Sequence, residues 1–347
     1  MFAAVLLGDN DLQYREAPRP ELGPGDVMVR VRACGVCGSD IPRVFAGAAH
    51  FYPLVLGHEF AGYVTEVGPE ISDDWLGQRV AVAPLVPCHA CERCTQGQYS
   101  LCPNYRFIGS SLDGGLAQYV RVPARNLVPL GDDMSYVQGA LVEPSSVALH
   151  ALLVGGYKPG LDVAVLGGGT IGNLTAQWAK LYGARSVSVV DLNADRLQVA
   201  REVGVDHVID ALTQDLFVEA DRITAGAGFG HVFETAGANA TQAQALQLAA
   251  PAATVTLVGT SPRDVSFDVK VFELLNRKEL TLNASWMSYS APFPGIEWTQ
   301  TIRYMQEGRL LTPASLLHQE FPLEQAASAM ELFRGGEGVK GKIIFLP

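Results

Sequence analysis

Four cysteines crowd into one short stretch, Cys88-x2-Cys91-x2-Cys94-x7-Cys102, and this spacing limits the possible folds more than any other feature of the chain. Four thiolates at such intervals surround one zinc ion tetrahedrally and leave no open position, which makes the site structural. Pro87, Gly97 and Pro103 suit a compact loop with little regular structure, so residues 88–102 read as a lobe wrapped around an ion. An iron–sulfur cluster or a redox Cys-x-x-Cys pair is the competing use of the same thiols. His89 lies inside the lobe and is surplus to a four-thiolate site.

The 347 residues hold only two further cysteines, Cys34 and Cys37. Such clustering, in a chain whose first residues read as a strand and not as a signal peptide, points to metal and away from a disulfide framework. A cytoplasmic location is expected. The length suggests two domains. The formal net charge of −11 argues against nucleic acid as a partner, because phosphate backbones need a basic face. It also means that an anionic substrate would need a local Arg or Lys. No run of about 18 apolar residues occurs, so no membrane span is expected.

Residues 1–150 carry short alternating runs, Val27–Arg32 and Arg79–Val82 among them, separated by turn signals such as Leu22–Asp26, and read as an irregular, mostly β domain. The rhythm then changes. Val163–Leu166 predicts a strand, a helix carries Ile171, Leu174, Trp178 and Leu181 at helical spacing up to Gly183, and Ser186–Val190 predicts the next strand. Further strands are expected at His207–Asp210, His231–Glu234 and Thr254–Val258, with helices at Asp195–Val203 and Thr241–Ala250. Alternating strands and helices indicate a parallel, doubly wound α/β sheet over 151–285. In 286–347 a helix near Trp298–Glu307 and a strand at Lys342–Leu346 read as a return to the first domain.

Within the second domain Gly167-Gly168-Gly169-Thr170-Ile171-Gly172 fits G-x-G-x-x-G between a strand and a helix. Gly167 permits the tight turn, Gly169 lets a pyrophosphate approach the backbone, and Gly172 lets helix and strand pack closely. Thr170 and Ile171 open the helix whose N-terminus offers N–H groups to the phosphates. Asp191, ending the next strand, would accept from the adenosine ribose hydroxyls and repel a 2′-phosphate, which favours NAD. Arg196 is a candidate for covering the adenine.

A second metal set is spread along the chain. Cys37, His58 and either Glu59 or Glu143 would give three protein ligands and an open fourth position, the arrangement by which zinc does chemistry. Cys34 competes with Cys37 and is expected to be buried and inert. Spacing alone does not join these residues.

The strings Cys34-Gly-Val-Cys-Gly-Ser-Asp40, Gly57-His-Glu-Phe-Ala-Gly62, the four-cysteine lobe, Glu143-Pro144, Leu149-His150 and Gly167–Gly172 together resemble the medium-chain zinc alcohol dehydrogenase family, in order and over essentially the whole chain. The resemblance implies a GroES-like catalytic domain with an inserted Rossmann domain, one catalytic and one structural zinc, NAD, and a homodimer or homotetramer. Glu143 stands where the family's second zinc-binding cysteine would be, which resembles the polyol dehydrogenase branch. Gly38–Phe45 and Ser285–Trp298 narrow the likeness to dehydrogenases of galactitol 1-phosphate and imply its oxidation to tagatose 6-phosphate. A sorbitol- or butanediol-type enzyme is the alternative.

By the same likeness Ser39 is the relay hydroxyl, and Glu59 or Glu143 accepts the proton when not bound to metal. Pro42 stands where relatives carry a relay histidine. Arg43 is the candidate contact for substrate phosphate or hydroxyl, with Trp286 and Tyr289 as pocket residues. A zinc-ribbon binding module, or a zinc-free reductase of the same fold, is the rival from another class.

Overall fold

The apolar run at 163–166 lies inside the strand Asp162–Leu166, buried along its whole length, as a strand covered on both faces must be. It sits in a six-stranded sheet ordered His207–Asp210, Ser186–Asp191, Asp162–Leu166, Phe229–Glu234, Ala249–Leu257, Thr281–Ala284. Every pairing in that sheet is parallel. The order runs outward in both directions from the first strand, so the reversal falls at its carboxyl end, where doubly wound sheets bind ligands.

Helix Thr170–Leu181 follows at once. Its buried face includes Leu174 and Trp178, whose Nε1 donates to the Ser145 carbonyl and hydroxyl oxygens at 3.1 Å. Gly183, at φ +86°, takes the left-handed turn that ends it. Four elements of this sheet region escape the sequence reading, the short helices Val269–Phe272 and Leu274–Arg277 among them. Helix Leu216–Thr224 starts at Asp215, whose side chain accepts from the Phe217 and Val218 N–H groups. Strand Thr281–Ala284 is a largely exposed edge strand and so shows no apolar alternation.

The computed structural model describes residues 1–334 and 338–347. They divide into two units. One comprises residues 1–143, 289–308 and 317–347; the other comprises 144–288 and 309–316. The expected joints at 150/151 and 285/286 therefore move. Residues 309–316, read as part of the returning segment, pack with the second unit, where the Gln177 side chain bonds both the Leu311 N–H and its carbonyl.

The first unit is mostly β. Seven strands form its main sheet, in which Asp26–Gly35 is flanked by Glu59–Val67 and by Lys342–Leu346, with Tyr119–Pro123 also paired to it. A smaller sheet joins Asp11–Glu16, Phe2–Gly8 and Leu54–Val55. Phe60, Leu54, Leu56, Ile108 and Phe345 form its core, while Leu166, Phe229, Val232 and Val255 belong to the core of the other unit. Among the described residues no helix is long and apolar enough to cross a membrane.

Candidate active site

The two central strands of the mostly β unit deliver the candidate metal-binding side chains. Strand Asp26–Gly35 ends just before Cys37, and the Val36 N–H is fixed by the Ile343 carbonyl at 3.0 Å. His58 and Glu59 stand at the start of Glu59–Val67. Gly57 sets their direction: at φ +96°, a Cβ there would lie 2.6 Å from Cys34 Sγ and 2.8 Å from the Leu116 nitrogen, so only glycine fits. Cys34 itself is buried, and burial pushes its thiol well above the usual value, as expected of an inert neighbour.

Cys37, His58 and Glu59 bring their ligand atoms within 4.8 Å of one another. His58 Nδ1 is buried without a hydrogen-bond partner. A thiol, an imidazole and a carboxylate converging in a buried place are the donor set of a zinc site with an open position. The electrostatics agree. Burial disfavours charge on His58, but Asp40, Cys37 and Glu143 outweigh it and raise the imidazole to about 10. So many acidic groups around one ring favour a cation beside it.

Glu143, second residue of helix Val142–Val154, is buried near this set but is not one of the three converging ligands. Burial, reinforced by Glu59 and opposed by His58, raises its carboxyl to about 7.

Two buried residues support the set, and the sequence reading singled out neither. Asp40 is 1% exposed, accepts from the Cys37 N–H at 3.1 Å, and places Oδ1 3.6 Å from His58 Nδ1. There it is a carboxylate suited to orient the imidazole toward a metal ion. Lys342, far away in sequence, reaches both Glu59 carboxylate oxygens at 2.6 Å and donates to the Val36 carbonyl at 2.9 Å. Only the lysine's place in the last strand brings it here, which no local motif announces.

The four-cysteine lobe closes as expected. All six cysteines are free thiols, and those of Cys88, Cys91, Cys94 and Cys102 lie within 4.8 Å of one another. N–H groups of Ala90 and Cys91 aimed at Cys88 lower its thiol to about 6, the thiolate form that zinc needs. The lobe also grips a segment of the same unit: His89 and Tyr99 meet the Phe293 ring edge-on at 5.3 and 5.2 Å.

That segment corrects one expectation. Tyr289 is 3% exposed, stacks between Phe293 and Trp298 at 5.7 and 5.9 Å, and accepts from the Leu85 N–H at 3.0 Å. It is a core residue and does not line an open pocket. Trp286 is 53% exposed. Arg43 is mostly buried, with Nη1 engaged by Ser39 and Asp40.

In the other unit the glycine motif takes its expected shape. Gly167 has φ +102°, and a Cβ on Gly172 would lie 1.7 Å from the Gly167 carbonyl oxygen. Nothing lies within 4 Å of where a Cβ on Gly169 would stand, and no side chain caps the helix that Thr170 and Ile171 open, so its N–H groups are available. Asp191 Oδ2 accepts from the Gly168 N–H at 2.6 Å and Oδ1 from the Asn193 N–H at 2.8 Å, with Arg196 Nη1 at 3.8 Å. The carboxylate is therefore tied to the phosphate loop. Thr235 Oγ1, donating to the Leu166 and Gly167 carbonyls, and Asn173, donating to Gly168, brace that loop and were not legible as site residues.

Comparison with known proteins agrees with this geometry. A family model described as the alcohol dehydrogenase GroES-like domain matches residues 23–132, and one described as zinc-binding dehydrogenase matches 170–304. The chain is 36% identical over 341 residues to galactitol 1-phosphate 5-dehydrogenase of Escherichia coli (strain K12), covering 98% of each chain. It is 31% identical over 337 residues to sorbitol dehydrogenase of Bacillus subtilis (strain 168), covering 95% of this chain and 93% of that one. The crystal structure of galactitol-1-phosphate dehydrogenase from Escherichia coli superposes with a TM-score of 0.94 at 35% identity over 100% of both chains. A zinc-binding-type dehydrogenase from Sinorhizobium meliloti 1021, solved bound to NADP, gives 0.90 at 30%, covering 100% of this chain and 99% of that one.

Proposed function

Because the chain belongs to the zinc-dependent, medium-chain alcohol dehydrogenase family, we propose that it oxidises a secondary hydroxyl of a polyol phosphate with NAD, converting galactitol 1-phosphate to tagatose 6-phosphate. The buried convergence of Cys37, His58 and Glu59 carries this reading, since three protein ligands leave a fourth position for a substrate oxygen. Zinc there would supply Lewis acidity toward that hydroxyl, and the nicotinamide would accept the hydride.

The chain's own groups do the rest. Cys37 and His58 hold the ion with Glu59 or Glu143, and the carboxylate left over is at hand for the hydroxyl's proton. Ser39 presents its hydroxyl to the substrate oxygen. Arg43 places a guanidinium beside the Ser39 hydroxyl. Cys88, Cys91, Cys94 and Cys102 hold a second zinc ion. Asp191 would bond the ribose hydroxyls and disfavour NADP. A cytoplasmic location and a homodimeric or homotetrameric state belong to the same proposal, and cell fractionation and size-exclusion chromatography test them.

The deciding experiment loads the chain with zinc and follows reduced cofactor with galactitol 1-phosphate, galactitol, sorbitol and butanediol, each with NAD and NADP. The highest kcat/KM is expected for galactitol 1-phosphate with NAD. A preference for sorbitol would support the second reading, an unphosphorylated polyol dehydrogenase, which the likeness to the Bacillus subtilis sorbitol dehydrogenase favours. No reduced cofactor with any alcohol would remove the activity altogether.

A further inference from the structure

Helix Asp40–Phe45 starts three residues after Cys37, and Ser39 stands at its head without capping it. The serine backbone is already helical (φ −72°, ψ −15°) and its side chain makes no cap hydrogen bond. Capping serines sit in extended geometry and accept from N–H groups two or three residues on. Three residues on from Ser39 is Pro42, which has no N–H. The hydroxyl is thus released from its ordinary structural use.

Arg43, one turn along, takes it up instead. Its Nη1 donates to Ser39 Oγ and to the Ser39 carbonyl oxygen, both at 2.9 Å, and to Asp40 Oδ1 at 3.2 Å. Asp40 in turn backs both the Cys37 N–H and the His58 ring. One guanidinium nitrogen therefore joins the serine hydroxyl to the carboxylate behind two metal-binding residues.

A serine hydroxyl has one proton and two lone pairs, and a guanidinium donates but never accepts. We propose that Arg43 is a positioning residue, holding Ser39 Oγ through one lone pair so that the hydroxyl's proton and its other lone pair face the substrate oxygen. No proton passes through Arg43, so exchange at Ser39 is confined to the substrate and solvent side. This inference rests on the dehydrogenase reading. It differs from a phosphate contact, which would act on substrate binding alone.

The test uses the zinc-loaded full chain with Arg43→Met, Arg43→Lys, Ser39→Ala and the double variant Ser39→Ala/Arg43→Met, on galactitol 1-phosphate and on an unphosphorylated secondary alcohol. Zinc content and NADH binding by fluorescence titration are measured beside the kinetics. Arg43→Met is expected to lower kcat about tenfold or more on both substrates, within the range of acid–base positioning effects, with zinc content and NADH affinity unchanged. In the Ser39→Ala background the loss should shrink below about threefold, since two residues acting through one contact are not additive. Arg43→Lys should recover part of the rate. Should Arg43→Met fail to fold, Arg43→Gln, which keeps two donors, takes its place in the cycle.

A rise in KM for the phosphorylated substrate alone, an equal loss in the Ser39→Ala background, or loss of zinc would each overturn the proposal. If the protein oxidised some other secondary alcohol but none of the polyols, the substrate reading would fail, and the same cycle would still be run on that alcohol.

Discussion

At the scale of single residues, the most consequential groups are buried ionisable side chains. Lys342 and Glu59 are both almost wholly buried and face each other at 2.6 Å. Replacing a buried ion pair whole is often tolerated, but removing one partner strands the other charge and costs roughly 3–5 kcal/mol. Lys342→Met should lower the unfolding free energy by about that much in urea titrations, and Lys342→Met/Glu59→Gln should regain part of it. A second buried group lies far from the metal set. His231, on a central strand, stacks on Phe233 at 4.2 Å and bonds Thr256 Oγ1 at 2.9 Å, and burial pushes its imidazole down to about 4. The unfolded chain protonates near the ordinary value of about 6.5, before the folded one does, so stability rises with pH between these values and is lost as pH falls through the window. The loss amounts to roughly 3 kcal/mol when complete. Denaturant titrations from pH 7 to pH 4 should show this slope, and His231→Asn should flatten it. Asp40, Lys342, Thr235 and Asn173 were not legible in the sequence because each acts through a contact that only the fold creates. Cys37, His58 and the glycines were legible because their chemistry restricts which residue can stand there.

At the scale of elements, the strand–turn–helix around Gly167–Gly172 shows how closely sequence and geometry correspond. A Cβ at position 172 would stand 1.7 Å from a backbone oxygen that cannot retreat without moving the turn. Gly172→Ala should therefore abolish NADH binding in fluorescence titrations while Gly169→Ala, which meets nothing within 4 Å in the protein alone, folds normally and weakens only the cofactor. Buried parallel strands were readable as unbroken apolar runs, Val163–Leu166 being the clearest. Helix Leu216–Thr224 was not, because its start depends on the Asp215 cap more than on a wide apolar stripe; among its residues only Leu216, Ala220 and Thr224 are buried. For Tyr289 the sequence allowed pocket lining and core packing alike. An aromatic, proline-containing segment resembles a pocket wall in sequence, and only the stacking with Phe293 and Trp298 shows it to be core.

At the scale of the whole molecule, two separate cores underlie two units that divide the proposed site residues: Cys37, His58 and Glu59 and the four-cysteine lobe fall in one, Gly167–Gly172 and Asp191 in the other. Metal removal should then be felt unevenly. After exhaustive chelation, hydrogen–deuterium exchange is expected to rise in residues 34–59 and 88–102 and to stay near its metal-loaded level in the strands Asp162–Leu166 and Phe229–Glu234. Equal deprotection of both units would show that the two cores are not independent. The Lys342–Glu59 contact bridges 283 positions of sequence, and this has a consequence for biosynthesis. Cys37, His58 and Glu59 leave the ribosome long before Lys342 does, so the Glu59 carboxylate gains its ion-pair partner only once the last strand is made.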